Sequence, residues 1–282
     1  MRPRHLLPLP ALLLAGCGRI DELASSPPVT PQQWCEQRPC IDIGGTIVNE
    51  PLGSFLVFFL AGLWVAVGGY FLATRRGQRS RVWLGVALVL GGIGAAQAGI
   101  SYQAFSYELK CDGRDVCALT SGFEVGYSLT QAWSISAMLV AVGYACTRPG
   151  MRRAITWYAL ANALLYCAVL IAGVMMPSAL LLSFTVLMLF AVPGIVIVMV
   201  VSWSTNRTIF TAALLLIGVN VAYYVYWAAG FTAALYQNGD GFYFSENDVL
   251  HVGYIAWLIY IAVRLGPTLA DRNTSPIPLS NE

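Results

Sequence analysis

The run Gly53–Ala73, GSFLVFFLAGLWVAVGGYFLA, holds no charged side chain over 21 residues and stops just short of Arg75 and Arg76. A helix rises about 1.5 Å per residue and needs roughly 20 apolar residues to cross about 30 Å of hydrocarbon, so this stretch reads as a transmembrane span. Windows of the same kind follow at Val82–Phe105, Phe123–Cys146, Ala154–Met175, Ser178–Trp203, Ile209–Tyr236 and Val249–Leu265. The fold class is therefore all-α, a polytopic membrane protein with a bundle of seven transmembrane helices. Only Met176-Pro177 separates the fourth and fifth windows, which implies a tight hairpin there. Composition agrees: 57% of the chain is hydrophobic and 11% charged, where soluble domains carry about 25% charge. The formal net charge is only +2, and the arginines lie in short clusters between apolar runs. That distribution excludes a basic face for nucleic acid.

Orientation follows from the same arginines, because short cytoplasmic loops accumulate positive residues. Arg75, Arg76, Arg79 and Arg81 lie between the first and second spans, Arg148, Arg152 and Arg153 between the third and fourth, Arg207 after the fifth, and Arg264 at the end of the seventh. Glu108, Asp112, Asp115, Asp240, Glu246 and Asp248 fall in the opposite loops. The amino terminus is thus expected outside and the carboxyl terminus in the cytoplasm.

Met1–His5 is basic and Leu6–Leu14 is apolar but too short to span, the pattern of an export signal. It runs into Leu14-Ala15-Gly16-Cys17, which resembles a bacterial lipobox and implies lipidation of Cys17 after cleavage. The expected organisation is a signal peptide over 1–16, an extracytoplasmic tether over 17–49, the seven-helix domain over 50–266 and a cytoplasmic tail over 267–282, in a bacterial inner membrane. Cys35, Cys40, Cys111 and Cys117 all fall on the outer, oxidising side and can form two disulfides. The local pairings Cys35–Cys40 and Cys111–Cys117 need the least rearrangement of chain. Cys146 and Cys167 lie within spans and read as packing residues.

Glycines at Gly68, Gly69, Gly91, Gly92, Gly94 and Gly99 are expected to let helices approach closely. Trp83, Trp203, Tyr236 and Tyr243 fit interfacial aromatic belts. Gln97, Gln131, Asn162 and Asn220 lie inside spans, where such residues hydrogen-bond between helices more often than they line a transport path. Ionisable residues at membrane level are costly and point to function. Glu50, Glu108, Glu124, Glu246, Asp248 and His251 all gather at the outer face. Asp248 and His251, three residues apart, share one side of a helix, although Asp248 also suits a helix cap. His251 is expected within a few ångströms of Glu124 or Glu108, since the second and third spans join at that face and the seventh enters there.

Seven spans, an outer amino terminus, Trp34-Cys35-Glu36 and Glu50 before the first span resemble the alkaline ceramidases and the wider superfamily of seven-helix membrane hydrolases that includes adiponectin-type receptors. In that family a Ser-x-x-Phe-His-like stretch ends the second span, an acid opens the third, and a His-x-x-x-His pair in the seventh completes a zinc site. The counterparts are Ser101 with Phe105-Ser106, Glu124 and His251. Ser106 stands in place of the second-span histidine, Ile255 in place of the last, and the spacing from Ser101 is one residue too long. With His5 and His251 the chain's only histidines, three cannot meet at a metal.

Two functions follow. The sequence favours a non-catalytic integral membrane protein, a sensor, carrier or assembly partner, whose partners are membrane lipids and a lipid or small-molecule ligand at its outer polar cluster. The alternative is a metal-assisted hydrolase of lipid amides or acyl substrates. There Glu124 would be the acid/base, and His251, Glu108 and Asp248 would hold zinc or another divalent ion.

Overall fold

The computed structural model describes residues 20, 23–239 and 241–272; Cys17 and the signal region lie outside them. Helix α1 (Pro31–Gln37) leads into a hairpin of β1 (Cys40–Ile43) and β2 (Thr46–Asn49). There follow α2 (Pro51–Ala73), α3 (Arg79–Ala104), the short α4 (Ser106–Lys110), α5 (Gly122–Cys146), α6 (Pro149–Met175), α7 (Phe184–Ser202), α8 (Arg207–Ala228), the short α9 (Phe231–Tyr236) and α10 (Glu246–Leu265). Among the described residues seven helices, α2, α3, α5, α6, α7, α8 and α10, are long and apolar enough to cross a membrane. The chain is therefore an all-α protein of the multi-pass membrane type.

Two boundaries differ most from the hydropathy windows, each for a local reason. Residues 178–183 are apolar but form turns, because α7 starts afresh where the Ser183 side chain accepts a hydrogen bond from Val186 N. The tight connection at Met176-Pro177 is thus a longer turn region. At the other end of the pair, α8 stops at Ala228 because Gly230 takes φ +66°, a left-handed conformation that glycine adopts without strain.

The centre of the bundle is α3, packed most extensively on α5 and α2, while α10 lies between α2 and α8. Leu60, Phe71, Leu88, Leu139 and Leu258 are buried there, and Trp64 meets Trp257 with ring centroids 5.4 Å apart. Trp257 Nε1 donates to Ala212 O at 2.8 Å, tying α10 to α8. A Cβ on Gly68 would come within 2.9 Å of Gly85 O, and one on Gly91 within 2.7 Å of the Trp64 ring, so these glycines set the spacing of α2 and α3. Gly69 has nothing within 4 Å and plays no such part. Three of the in-span amides do link helices: Asn162 Nδ2 reaches Phe190 O, Asn220 Nδ2 reaches Tyr254 Oη, and Gln97 Oε1 accepts from Thr130.

One end of the bundle carries both disulfides, Cys35–Cys40 and Cys111–Cys117, in the pairing the sequence favours. Residues 23–49 are not an extended tether. A capping box between Thr30 and Gln33 starts α1, Trp34 is buried against Cys111 and Cys117, and Cys117 N bonds to Val29 O. Stapled cysteines and one buried indole supply a core too small to register as helical periodicity.

The opposite end carries most of the arginines and is closed by the segment after α10. Asp271 accepts from Arg79 N and Ser80 N at 3.0 and 2.7 Å, capping the start of α3. Arg81, 7% exposed, donates to Gly266 O and Leu269 O, the free carbonyls beyond α10, and to Thr74. Arg272 reaches Cys146 O at 2.7 Å.

Candidate functional site

The disulfide end holds a group of buried polar side chains that helix capping alone does not explain. Glu50 sits at the junction of β2 and α2, left-handed at φ +45° and only 3% exposed. Its Oε1 accepts from Tyr243 Oη at 3.0 Å and faces Arg38 Nη1 at 3.5 Å; its Oε2 is buried without a partner. Burial pushes the Glu50 carboxyl from 4.5 up to about 7, against the pull of Arg38 and Tyr243 and with the help of the nearby charges of Asp248 and Glu246. Burial, with Glu50 beside it, likewise raises the Tyr243 phenol. Arg38 itself stacks over Trp34 at 4.0 Å. A crevice of about 250 Å³ opens here, lined by Pro39, Glu50, Leu52, Phe242 and Tyr243. Tyr243 is thus a partner of a buried acid and not only an interfacial aromatic.

Three helices meet at Gly53, in the first turn of α2. Asp248 is the N3 residue of a capping box with Ser245: its Oδ2 accepts from Ser245 N at 2.7 Å and lies 3.1 Å from Ser245 Oγ, which in turn caps Asp248 N. Its Oδ1 is left without a partner. Gln103, in the π-helical end of α3, is 2% exposed and has both amide atoms unpartnered. Asp248 Oδ1 and Gln103 Nε2 each lie 2.7 Å from the point a Cβ of Gly53 would occupy, so α2, α3 and α10 converge on one spot. His251 lies one turn along α10 from Asp248, with Nδ1 buried and unpartnered. A π-bulge at the end of a helix is a frequent mark of a functional site, since it turns side chains off the regular face.

The other acids are placed elsewhere. Glu124, at the start of α5, is paired with Lys110 and accepts from Ser101 Oγ at 2.9 Å, while Ser101 also contacts Ser121 Oγ at 2.6 Å. Lys110 lies 4.9 Å over the Tyr102 ring. Glu108 holds the hairpin, accepting from Ile47 N at 2.6 Å. His251 makes no ion pair among the described residues, with Glu124 and Glu108 each engaged by other groups. Among the described residues no group of three or more His, Cys, Asp or Glu side chains is placed to hold a metal.

The sequence reading brought together Asp248, His251 and Glu50 at one end of the bundle but missed Gln103, Arg38 and Tyr243. An amide in the last turn of an apolar window was the available signal for Gln103. No family model matches the chain, and no curated protein and no solved structure does either.

Proposed function

We propose that the chain is a non-catalytic multi-pass protein of a bacterial inner membrane, its disulfide end outside, that binds a small polar ligand at the cluster of Glu50, Gln103, Asp248 and His251. The observation that carries this reading is the convergence on Gly53 of buried, unpartnered polar atoms from α3 and α10. Each such atom costs about 1–3 kcal/mol when left unpaired, and a fold retains that cost where a ligand offsets it. Arginines at one end and disulfides at the other support the orientation. Lipidation at Cys17 belongs to the same reading, and Cys17→Ser is expected to abolish lipid labelling while the seven helices still insert; unchanged labelling would remove the anchor.

The ceramidase-like alternative draws on the Ser101–Glu124 hydrogen bond, which joins the second-span serine to the third-span acid. Against it, Glu124 is held in an ion pair by Lys110, which opposes a role in proton transfer. Purified protein incubated with ceramide and added zinc is expected to release no fatty acid. Zinc-dependent release abolished by Glu124→Gln would overturn the non-catalytic reading.

A further inference from the structure

The two disulfides sit in unlike surroundings. Cys111 and Cys117 are fully buried, with Trp34 packed against them. Cys35 and Cys40 are each partly exposed, so a dissolved thiol reaches this bridge while the other stays covered by the fold. Exchange with a thiol needs a sulfur that can be attacked and a second whose departing thiolate is stabilised.

The second requirement is met at Cys40. Asn49, fully buried, donates from Nδ2 to Cys40 Sγ at 2.9 Å. The orientation of its amide is fixed, because Oδ1 accepts from Tyr107 N at 2.9 Å and a backbone N–H demands an oxygen there. A disulfide sulfur is a weak acceptor and a thiolate a strong one. The bond from Asn49 therefore strengthens as the bridge opens, which makes Cys40 the leaving sulfur and Cys35 the one attacked.

The bridge also closes a loop that forms one wall of the Glu50 crevice. Between the two cysteines lie Arg38, whose Nη1 faces Glu50 Oε1 at 3.5 Å, and Pro39, which lines the crevice and whose carbonyl accepts from Glu50 N at 3.0 Å. We propose that Cys35–Cys40 is an exchangeable disulfide, reduced by a protein dithiol on the same side of the membrane, and that its opening loosens the Arg38–Pro39 wall around Glu50. A thiolate of the dithiol attacks Cys35 Sγ, the Cys35–Cys40 bond breaks, and its electron pair leaves on Cys40 Sγ, which takes up a proton. The second thiolate of the dithiol then attacks its own mixed-disulfide sulfur and releases Cys35, which takes up the other proton. Two electrons pass to this chain and the dithiol ends as a disulfide. The exchange stands whether or not the cluster around Glu50 binds a ligand.

The test is a short pulse of reduced glutathione on the purified, oxidised full-length protein, quenched with N-ethylmaleimide and read by peptide mass spectrometry. Glutathione is expected on Cys35 and maleimide on Cys40, with this bridge opening at least about tenfold faster than Cys111–Cys117. Equal rates for the two bridges, or no opening short of unfolding, overturn the proposal. Glutathione on Cys40 and maleimide on Cys35 overturn the part given to Asn49. These arms need no variant to fold. Asn49→Asp keeps the acceptor for Tyr107 N but loses the donor, and is expected to slow opening about fivefold; an unchanged rate in the folded variant also removes Asn49 from the mechanism. Full reduction of Cys35–Cys40 is expected to speed hydrogen exchange of the Glu50 amide about tenfold as its bond to Pro39 loosens, and unchanged exchange there overturns the coupling to the crevice.

Discussion

The two ends of the bundle handle their carboxylates in opposite ways. At the arginine end both oxygens of Asp271 are used, taking the first amides of α3, and the Arg81 terminal nitrogens take the carbonyls beyond α10, although Ser80 Oγ, Arg81 Nε and Arg152 Nε are left without partners. Helix ends leave amides and carbonyls without intrahelical partners, so folding alone accounts for these bonds. At the disulfide end Ser245 and Asp248 cap α10 in the same manner, but Asp248 Oδ1, both amide atoms of Gln103, Glu50 Oε2 and His251 Nδ1 remain over. A buried polar residue is therefore informative only after its capping role has been subtracted. At one end the acid closes a lock, and at the other two acids each keep an oxygen without a partner.

The sharpest way to break this contrast is a matched pair of substitutions to methionine. Arg81→Met removes charge-assisted hydrogen bonds and leaves carbonyls bare, and is expected to cost about 3 kcal/mol of stability. Gln103→Met removes two unpaired atoms at nearly constant shape and is expected to change stability by less than about 1 kcal/mol, in either direction. Equal losses in chemical or thermal unfolding would erase the distinction between the ends.

A smaller effect concerns Glu50. Folded Glu50 keeps its proton up to about 7, whereas the unfolded residue loses it near 4.5. The native state therefore binds the extra proton between those values, and stability falls as pH rises through that window. The loss is on the order of 3 kcal/mol at most, and Glu50→Gln is expected to flatten this part of the profile. An unchanged slope in the variant would assign the pH response to another group.

The seven helices were legible because each window is long and nearly free of charge, and no soluble packing tolerates that. The errors at residues 178–183 and after Ala228 arose because hydropathy does not register a serine cap or one left-handed glycine. Disulfide pairing was legible from proximity in sequence. The site was legible only in part. Charge marks Glu50 and Asp248, but helical spacing does not say which helices become neighbours: the seventh helix packs most on the first and sixth, and the acid of α5 pairs with Lys110. The π-helical end of α3, which brings Gln103 to Gly53, has no signature in residue type.

The central claim is a bundle whose disulfide end, with its polar cluster, faces out of the cytoplasm. Its most direct test is labelling of single introduced cysteines in intact cells with a membrane-impermeant maleimide. Asn238→Cys, exposed in the loop between α9 and α10, is expected to react at once, while Gly150→Cys, exposed at the start of α6, reacts only after permeabilisation. Reaction at Gly150→Cys but not at Asn238→Cys in intact cells would invert the protein in its membrane and contradict the account.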